Sequence, residues 1–301
     1  MGQRMLVRFA LSPESFGCSE SIARRVLQVW MRSGVFFYRE DLLDGAPRVV
    51  QKHLKRGLRN AWSVKVPATA FPSDIGLMRS HLAVLPDEVE LVAVGAHDAQ
   101  TLGLSATGED EAEPVSQAEV VLAERIDLAR SVRRSVDMAE SPIPKGYPVR
   151  ELWDQRFAPV VNCATRACVV DRYALKRLAS RKQGGGLARF LEWSRDSKLR
   201  YVKVIAEPAG LSAADLSRAL GGGGTRIEIY CVDAGVWSSE VVDRWIQFDR
   251  FVFEIGHGLE VLEGDVVDRM NLFTFKRVSD ELVQAAVRLQ GKARQPLVLN
   301  G

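Results

Sequence analysis

Two places in this 301-residue chain set a carboxylate beside a guanidinium, directly after a pair of valines. "VVDRY" carries Asp171 and Arg172, and "VVDRW" carries Asp243 and Arg244. If the valines close a parallel strand, each pair stands where open α/β sheets present their ligands. There an aspartate can orient an arginine, whose forked donors match the oxygens of a phosphate. The structural alternative is that Asp171 caps a turn and Arg172 makes an ion pair.

A second group of candidates lies in "PRVVQKHLKRGLRNAW". Val50, Leu54, Leu58 and Trp62 recur every four residues, which predicts a helix over 47–62 with one apolar stripe. Lys52, Lys55, Arg56 and Arg59 fall opposite that stripe, as either a solvated face or a local footprint for phosphate or an acidic partner. The same segment holds His53-Leu54-Lys55, with Asn60 five residues past the lysine. This is a variant of the H-x-K-x4-D/N signature of phospholipase-D-type phosphodiesterases, in which the histidine is the nucleophile. Those motifs stand at strand ends, whereas this one falls within a helix. No catalytic residue is therefore assigned, and His53 and Lys55 remain the candidates for an enzymatic reading.

"RKQGGGLARF" (181–190) offers a glycine-rich approach to a helix N-terminus, where backbone N–H groups receive anions. It lacks the Walker lysine and the G-x-G-x-x-G spacing. "LGGGGTR" (220–226) reads as a link from helix to strand. His97-Asp98 ends an apolar strand. His81, His97 and His257 have no second ligand at metal spacing, and Cys163 and Cys168 stand five apart rather than as C-x-x-C. The cysteines, with Cys18 and Cys231, read as reduced core thiols, and neither metal nor cofactor is expected.

These residues need a scaffold to hold them. The chain is 47% hydrophobic and 26% charged, which is ordinary for globular proteins. Its net charge of +3 is too small to announce a nucleic-acid or membrane partner, so any basic surface must be local. No apolar run reaches the roughly 18 residues of a membrane span, and the N-terminal run is too short for a secretory segment. A cytoplasmic location is the expectation.

The length suggests two domains. Residues 1–140 read as a helix-rich α+β domain. "MLVRFAL" is short enough for an edge strand, 19–33 is a helix capped by Ser19 and Gly34, and 89–96 is a buried strand. Residues 105–118 read as an acidic surface loop, and 119–138 as a helix. Residues 141–149, rich in proline, read as a linker. From 150 to 301 the pattern becomes α/β: strands at 167–173, 200–207 and 226–233 alternate with helices at 186–197 and 212–220, predicting a parallel arrangement. "DRWIQF", "RFVFEIG", "LEVLEG" and "NLFTFKRV" are too closely spaced for crossovers, so antiparallel pairing and a mixed sheet with flanking helices are expected. A last helix spans 279–290.

The stretch "VVDRWIQFDRFVFEIGHGLEVL" (241–262) resembles the C-terminal phospholipase-D-like domain of MIT-domain proteins and its bacterial relatives in conflict or anti-phage systems. That family writes His-Asp-Arg-aromatic-Ile, a hairpin, then Ile-Gly-Arg-Gly-Leu. The match runs through Asp243, Arg244, Trp245 and Ile246 to Ile255, Gly256, Gly258 and Leu259, and the family's earlier Asp-Arg-Tyr corresponds to Asp171-Arg172-Tyr173. The resemblance covers about 150–290. It implies a phospholipase-D-like fold with Asp171, Arg172, Asp243, Arg244 and His257 at the ligand. Val242 stands in place of the family histidine, and His257 in place of the arginine between the glycines. Two histidines are needed for the superfamily's chemistry, so the resemblance implies a pseudoenzyme.

The expected function is a non-catalytic binding or scaffold subunit of a bacterial defence-type assembly. Its partners would be other subunits and DNA or RNA phosphates, with a homodimer also compatible. The alternatives are a dimeric phosphodiesterase or nuclease and a binder of anionic membranes, the latter disfavoured because the 47–62 stripe reads as core packing.

Overall fold

The computed structural model describes residues 4–67, 89–102, 118–180, 185–221, 224–237 and 244–299. Contacts divide the chain into two compact units, Met5–Asp137 and Met138–Gly301, the latter grouped with Met1–Arg4.

The first unit is built on five parallel strands in the order β3-β2-β1-β4-β5. They are β1 (Val7–Leu11), β2 (Gly34–Tyr38), β3 (Trp62–Lys65), β4 (Leu91–Val94) and β5 (Glu119–Leu122). Three helices, α1 (Glu20–Ser33), α2 (Glu40–Gly45) and α3 (Arg48–Asn60), lie between β1 and β3 in the chain. Ser19 caps α1 by accepting the Ile22 N–H, as its sequence position predicts. The core centres on fully buried Phe9, Trp30 and Phe36, with the Trp30 and Phe36 ring centroids 4.8 Å apart. α3 packs against α1 through Val50, Leu54 and Gly57. A Cβ on Gly57 would lie 2.1 Å from the Trp30 ring, so only glycine lets the helices touch there.

Several expectations change in this unit. β1 is the central strand, not an edge: Phe9 pairs with Phe36 on one side and Leu91 on the other. Apart from Arg8, this five-residue strand is apolar and buried on both faces, as a central strand of a parallel sheet is. The helix expected over 119–138 splits into β5, a 3-10 segment at Ala123–Leu128 and a helix at Arg130–Glu140. Ile126, Ala129 and Val132 are buried as the periodicity demanded, but a 3-10 turn repeats every three residues and mimics a helical stripe. Since every described strand of the unit is parallel, it is α/β rather than α+β. Of the loop expected at 105–118, all but the last residue lies outside the described residues.

The second unit holds a seven-stranded mixed sheet in the order β11-β10-β9-β6-β7-β8-β12. β6 (Arg166–Val170), β7 (Tyr201–Ala206) and β8 (Arg226–Cys231) are parallel. β9 (Trp245–Phe248), β10 (Phe251–Ile255) and β11 (Phe273–Arg277) form an antiparallel meander beside β6, and β12 (Leu297–Leu299) closes the far edge. Side-chain alternation sorts two cores. Phe248 and Phe253 join Phe157 and Phe190 on one face. Val170, Ile205, Trp245 and Val252 pack with Leu289 of the helix Asp280–Gly291 on the other.

The proline-rich segment 141–149 is not a linker. Ile143 bridges Asn271, Pro148 bridges Val266, and the Val149 N–H donates to Asp265, so the segment is stitched onto the second unit. Prolines that forbid a helix still permit extended bridges at a sheet's margin. "LEVLEG" is likewise no strand: Gly258–Leu262 is a buried 3-10 turn entered through a left-handed glycine. Among the described residues no helix is long and apolar enough to cross a membrane.

Candidate functional site

Strand direction brings the candidates together. β6 and β7 run in parallel and β9 runs against β6. The exits of β6 and β7, the entry to β9 and the exit of β10 therefore share one edge of the sheet. Asp171 and Arg172 follow β6, Glu207 follows β7, Arg244 precedes β9, and Gly256-His257-Gly258 follow β10. The repeated pattern thus has a geometric meaning. Its first copy leaves a strand and its second enters the antiparallel neighbour, so Arg172 and Arg244 reach the same end of the sheet, over Tyr173. Asp243 lies outside the described residues.

Asp171 is the buried pivot, 2% exposed. One carboxylate oxygen accepts the Tyr173 N–H at 3.0 Å and the other the Leu259 N–H at 3.0 Å. Arg244 Nε stands 3.9 Å from the first oxygen, near enough for attraction but too far for a hydrogen bond. Burial pushes the Asp171 carboxyl above its ordinary value, while the two N–H donors and Arg244 pull it back. Gly258 lies against both side chains at φ +62°, and a Cβ there would sit 2.2 Å from an Asp171 oxygen and 2.9 Å from Arg244 Cδ.

Glu207, 1% exposed, is the second buried carboxylate, and no motif in the sequence marks it. It pairs with Arg172 Nε and with Lys176 Nζ, while its own N–H donates to the Arg172 carbonyl. Burial works to raise its carboxyl, but hydrogen bonds from Lys176 and Arg172 outweigh it and hold the group below the ordinary range. A third buried carboxylate, Glu260, ties Arg177 to Arg269.

All three site cations lie over one ring. Arg244, Arg172 and Lys176 stand 5.0, 5.4 and 5.7 Å from the Tyr173 centroid. The ring's negative face offsets part of their mutual repulsion. The structural alternative for the first pair is partly realised, since Asp171 caps a turn and Arg172 is ion-paired. Arg244 differs. Among the described residues its guanidinium makes no hydrogen bond, and it is one-fifth exposed. His257 donates its backbone N–H to Asn271 Oδ1, and its half-buried imidazole makes no hydrogen bond among the described residues. The edge therefore gathers two anchored cations and, over the same aromatic floor, a guanidinium that makes no hydrogen bond among the described residues.

The other candidates lie elsewhere. His53 and Lys55 sit on α3 in the first unit, two residues apart and so on different faces of the helix. His53 faces Glu20 at 3.3 Å, while Lys55 bonds Gln51 at 3.2 Å and pairs with Asp44 at 3.5 Å. They do not form a catalytic pair. Lys52, Arg56 and Arg59 are exposed on the same helix. His97 and Asp98 open the short helix Ala96–Thr101, where their N–H groups donate to the Glu14 carboxylate at 3.3 and 2.8 Å. His81 and residues 181–184 and 222–223 of the glycine-rich stretches lie outside the described residues. Burial pushes the Cys168 thiol up to about 11, far from a reactive thiolate. Among the described residues no three His, Cys, Asp or Glu side chains cluster as a metal site.

No protein-family model matches this chain, and no curated protein matches it. Among solved structures it is similar to TrmBL2, an archaeal chromatin protein whose structure is described as showing a novel mode of DNA binding. The likeness is 12% identity over 50% of this chain and 52% of that one, with a TM-score of 0.27, which is too loose to carry an argument about fold or function.

Proposed function

We propose that the second unit is a non-catalytic, phospholipase-D-like anion-binding module, and that the chain serves as a binding or scaffold subunit of a bacterial defence-type assembly. The observation that carries this reading is the convergence of Arg172, Lys176 and Arg244 on Tyr173, with the Arg244 donors uncommitted among the described residues. Such a cradle suits phosphate oxygens of DNA or RNA, or acidic side chains of a partner subunit. The place in an assembly rests on the resemblance of residues 241–262. Cleavage is disfavoured because His257 is the one histidine in the second unit's sequence, and phosphodiester chemistry of this type uses two.

The test compares wild type, Arg244→Ala and Arg172→Ala for retention of partners and nucleic acid after affinity purification from the native host. A charge-assisted contact contributes about 1.5–3 kcal/mol, so Arg244→Ala should weaken binding at least tenfold without lowering the melting temperature. Unchanged binding in both variants removes the site from consideration. Phosphodiester cleavage abolished by His257→Ala would replace the binding reading with an enzymatic one.

A further inference from the structure

We infer that the outer face of α3 in the first unit is a docking stripe for the phosphate backbone of double-stranded nucleic acid. The inference stands apart from the second-unit cradle and does not depend on it. α3 carries five cations, Arg48, Lys52, Lys55, Arg56 and Arg59, and no acidic residue in thirteen positions. Four of them, Arg48, Lys52, Arg56 and Arg59, are spaced four, four and three residues apart. At ~1.5 Å per residue they form one line about 16 Å long. All four are exposed, and among the described residues none of their side chains has a hydrogen bond or ion pair.

The surrounding carboxylates sharpen the point. Glu20 is held by Arg24 and His53, Glu40 by Lys65, Asp41 by Arg39, and Asp44 by Lys55. Each acid of the neighbouring α1 start and α2 is committed to a cation outside the stripe. Lys55 is thereby set aside, while Arg48 joins the face. An ordinary solvated helix here mixes its signs, as in Glu20–Arg24, Arg150–Asp154 and Asp215–Arg218. α3 instead stacks like charges at successive turns and places Arg48 at its N-terminus, against the helix dipole. Both choices work against helix stability, and packing overrides them: Val50 and Leu54 are fully buried and Gly57 seats on Trp30. The stripe is therefore rigid and fixed in register.

Its chemistry selects the partner. A membrane-surface helix presents apolar residues outward, whereas the apolar face of α3 is buried. A protein interface centres on aromatic or methionine anchors, and the stripe has none. The phosphates of a duplex strand form a continuous line of negative charge along each groove edge, which a straight row of cations can follow.

The test is fluorescence anisotropy of the full chain with a 30-base-pair mixed-sequence DNA duplex, titrated across a range of NaCl concentrations. Replacing Arg48, Lys52, Arg56 and Arg59 together by glutamine should reduce affinity at least tenfold. It should also flatten the log K against log salt slope by roughly 0.9 for each lost phosphate contact. The double variant Arg56→Gln/Arg59→Gln should show about half that change. Arg24→Gln should leave the slope intact, and no stripe variant should melt below wild type, since removing like charges relieves the helix. An unchanged slope in the fourfold variant, absence of duplex binding at low salt, or stripe-dependent binding to phosphatidylserine vesicles or an acidic protein but not to DNA would each overturn the inference.

Discussion

Gly258→Ala tests the architecture of the cradle most sharply, because strain and steric overlap can be separated by two other glycines. At φ +62° an alanine meets the left-handed penalty of ~1–2 kcal/mol. Its Cβ would also stand 2.2 Å from an Asp171 oxygen that is buried and accepts the Leu259 N–H. Displacing that carboxylate loses a hydrogen bond to a charged group, ~1.5–3 kcal/mol. The sum is ~3–5 kcal/mol, or roughly 6–20 °C for a unit of this size at ~2–4 °C per kcal/mol. Gly264 has φ +68° with its nearest atom at 3.7 Å, so Gly264→Ala reports strain alone, ~1–2 kcal/mol. Gly256 has no positive φ and its nearest neighbour lies at 3.6 Å, so Gly256→Ala should change stability by less than ~1 kcal/mol. Scanning calorimetry of the three variants gives the series directly. A Gly258→Ala loss within 1 kcal/mol of Gly264→Ala, on the same estimate of strain, would refute the close packing of Asp171, Gly258 and Arg244.

Glu207 should make the second unit acid-labile. Its carboxyl is held below the ordinary value of 4.5, so its contribution is present above that pH and lost as pH falls through the lowered value. Asp171 is shifted the other way, so its contribution is present at low pH and is lost as pH rises. Thermal melts of wild type and Glu207→Gln from pH 7 to 3 isolate the first effect. The variant should be less stable at pH 7, and the gap should close in acid; a constant gap would contradict the assignment. In the first unit, Glu119 accepts the N–H groups of Arg130 at 2.6 Å and Ser131 at 2.9 Å, capping the helix Arg130–Glu140 from a neighbouring strand. Glu119→Ala should cost about 1 kcal/mol and speed hydrogen exchange at those two amides.

What the sequence reveals follows the range of the forces involved. β6, β7 and β8 are legible because each sets β-branched or apolar residues at least at every second position, as in "YVKVIA" and "RIEIYC". Ser19 and Ser212 announce their helices through local caps. β2 is hidden because α1 runs into it without a loop: Gly34 looks like a helix stop but has the extended φ of −105° and begins the strand. β5 is hidden because "EVVL" joins the sheet through β4, a partner far away in the chain. At the site, Asp171, Arg172 and Arg244 stand out by repetition, whereas the carboxylate that anchors Arg172 comes from the end of another strand. Glu207 left one clue, a lone carboxylate closing the apolar run "YVKVIAE". Lys176 and Glu260 left none, since a charged residue in a helix or turn is ordinary until its neighbour is known. His53 and Lys55 match a motif by spacing alone, and helical geometry points them apart.

The first unit's strand order, with β1 at the centre and the chain turning outward to either side, is that of sheets that receive nucleotides in the crevice beyond β1 and β4. Here that seat is taken from within. The Glu14 carboxylate rests on the amides of His97 and Asp98, and a side chain on Gly95 would collide with it. A negatively charged guest would have to evict an equally negative resident that is covalently tethered and never dilutes away. The unit keeps the doubly wound strand order, with the crevice at its switch point filled by one of its own carboxylates.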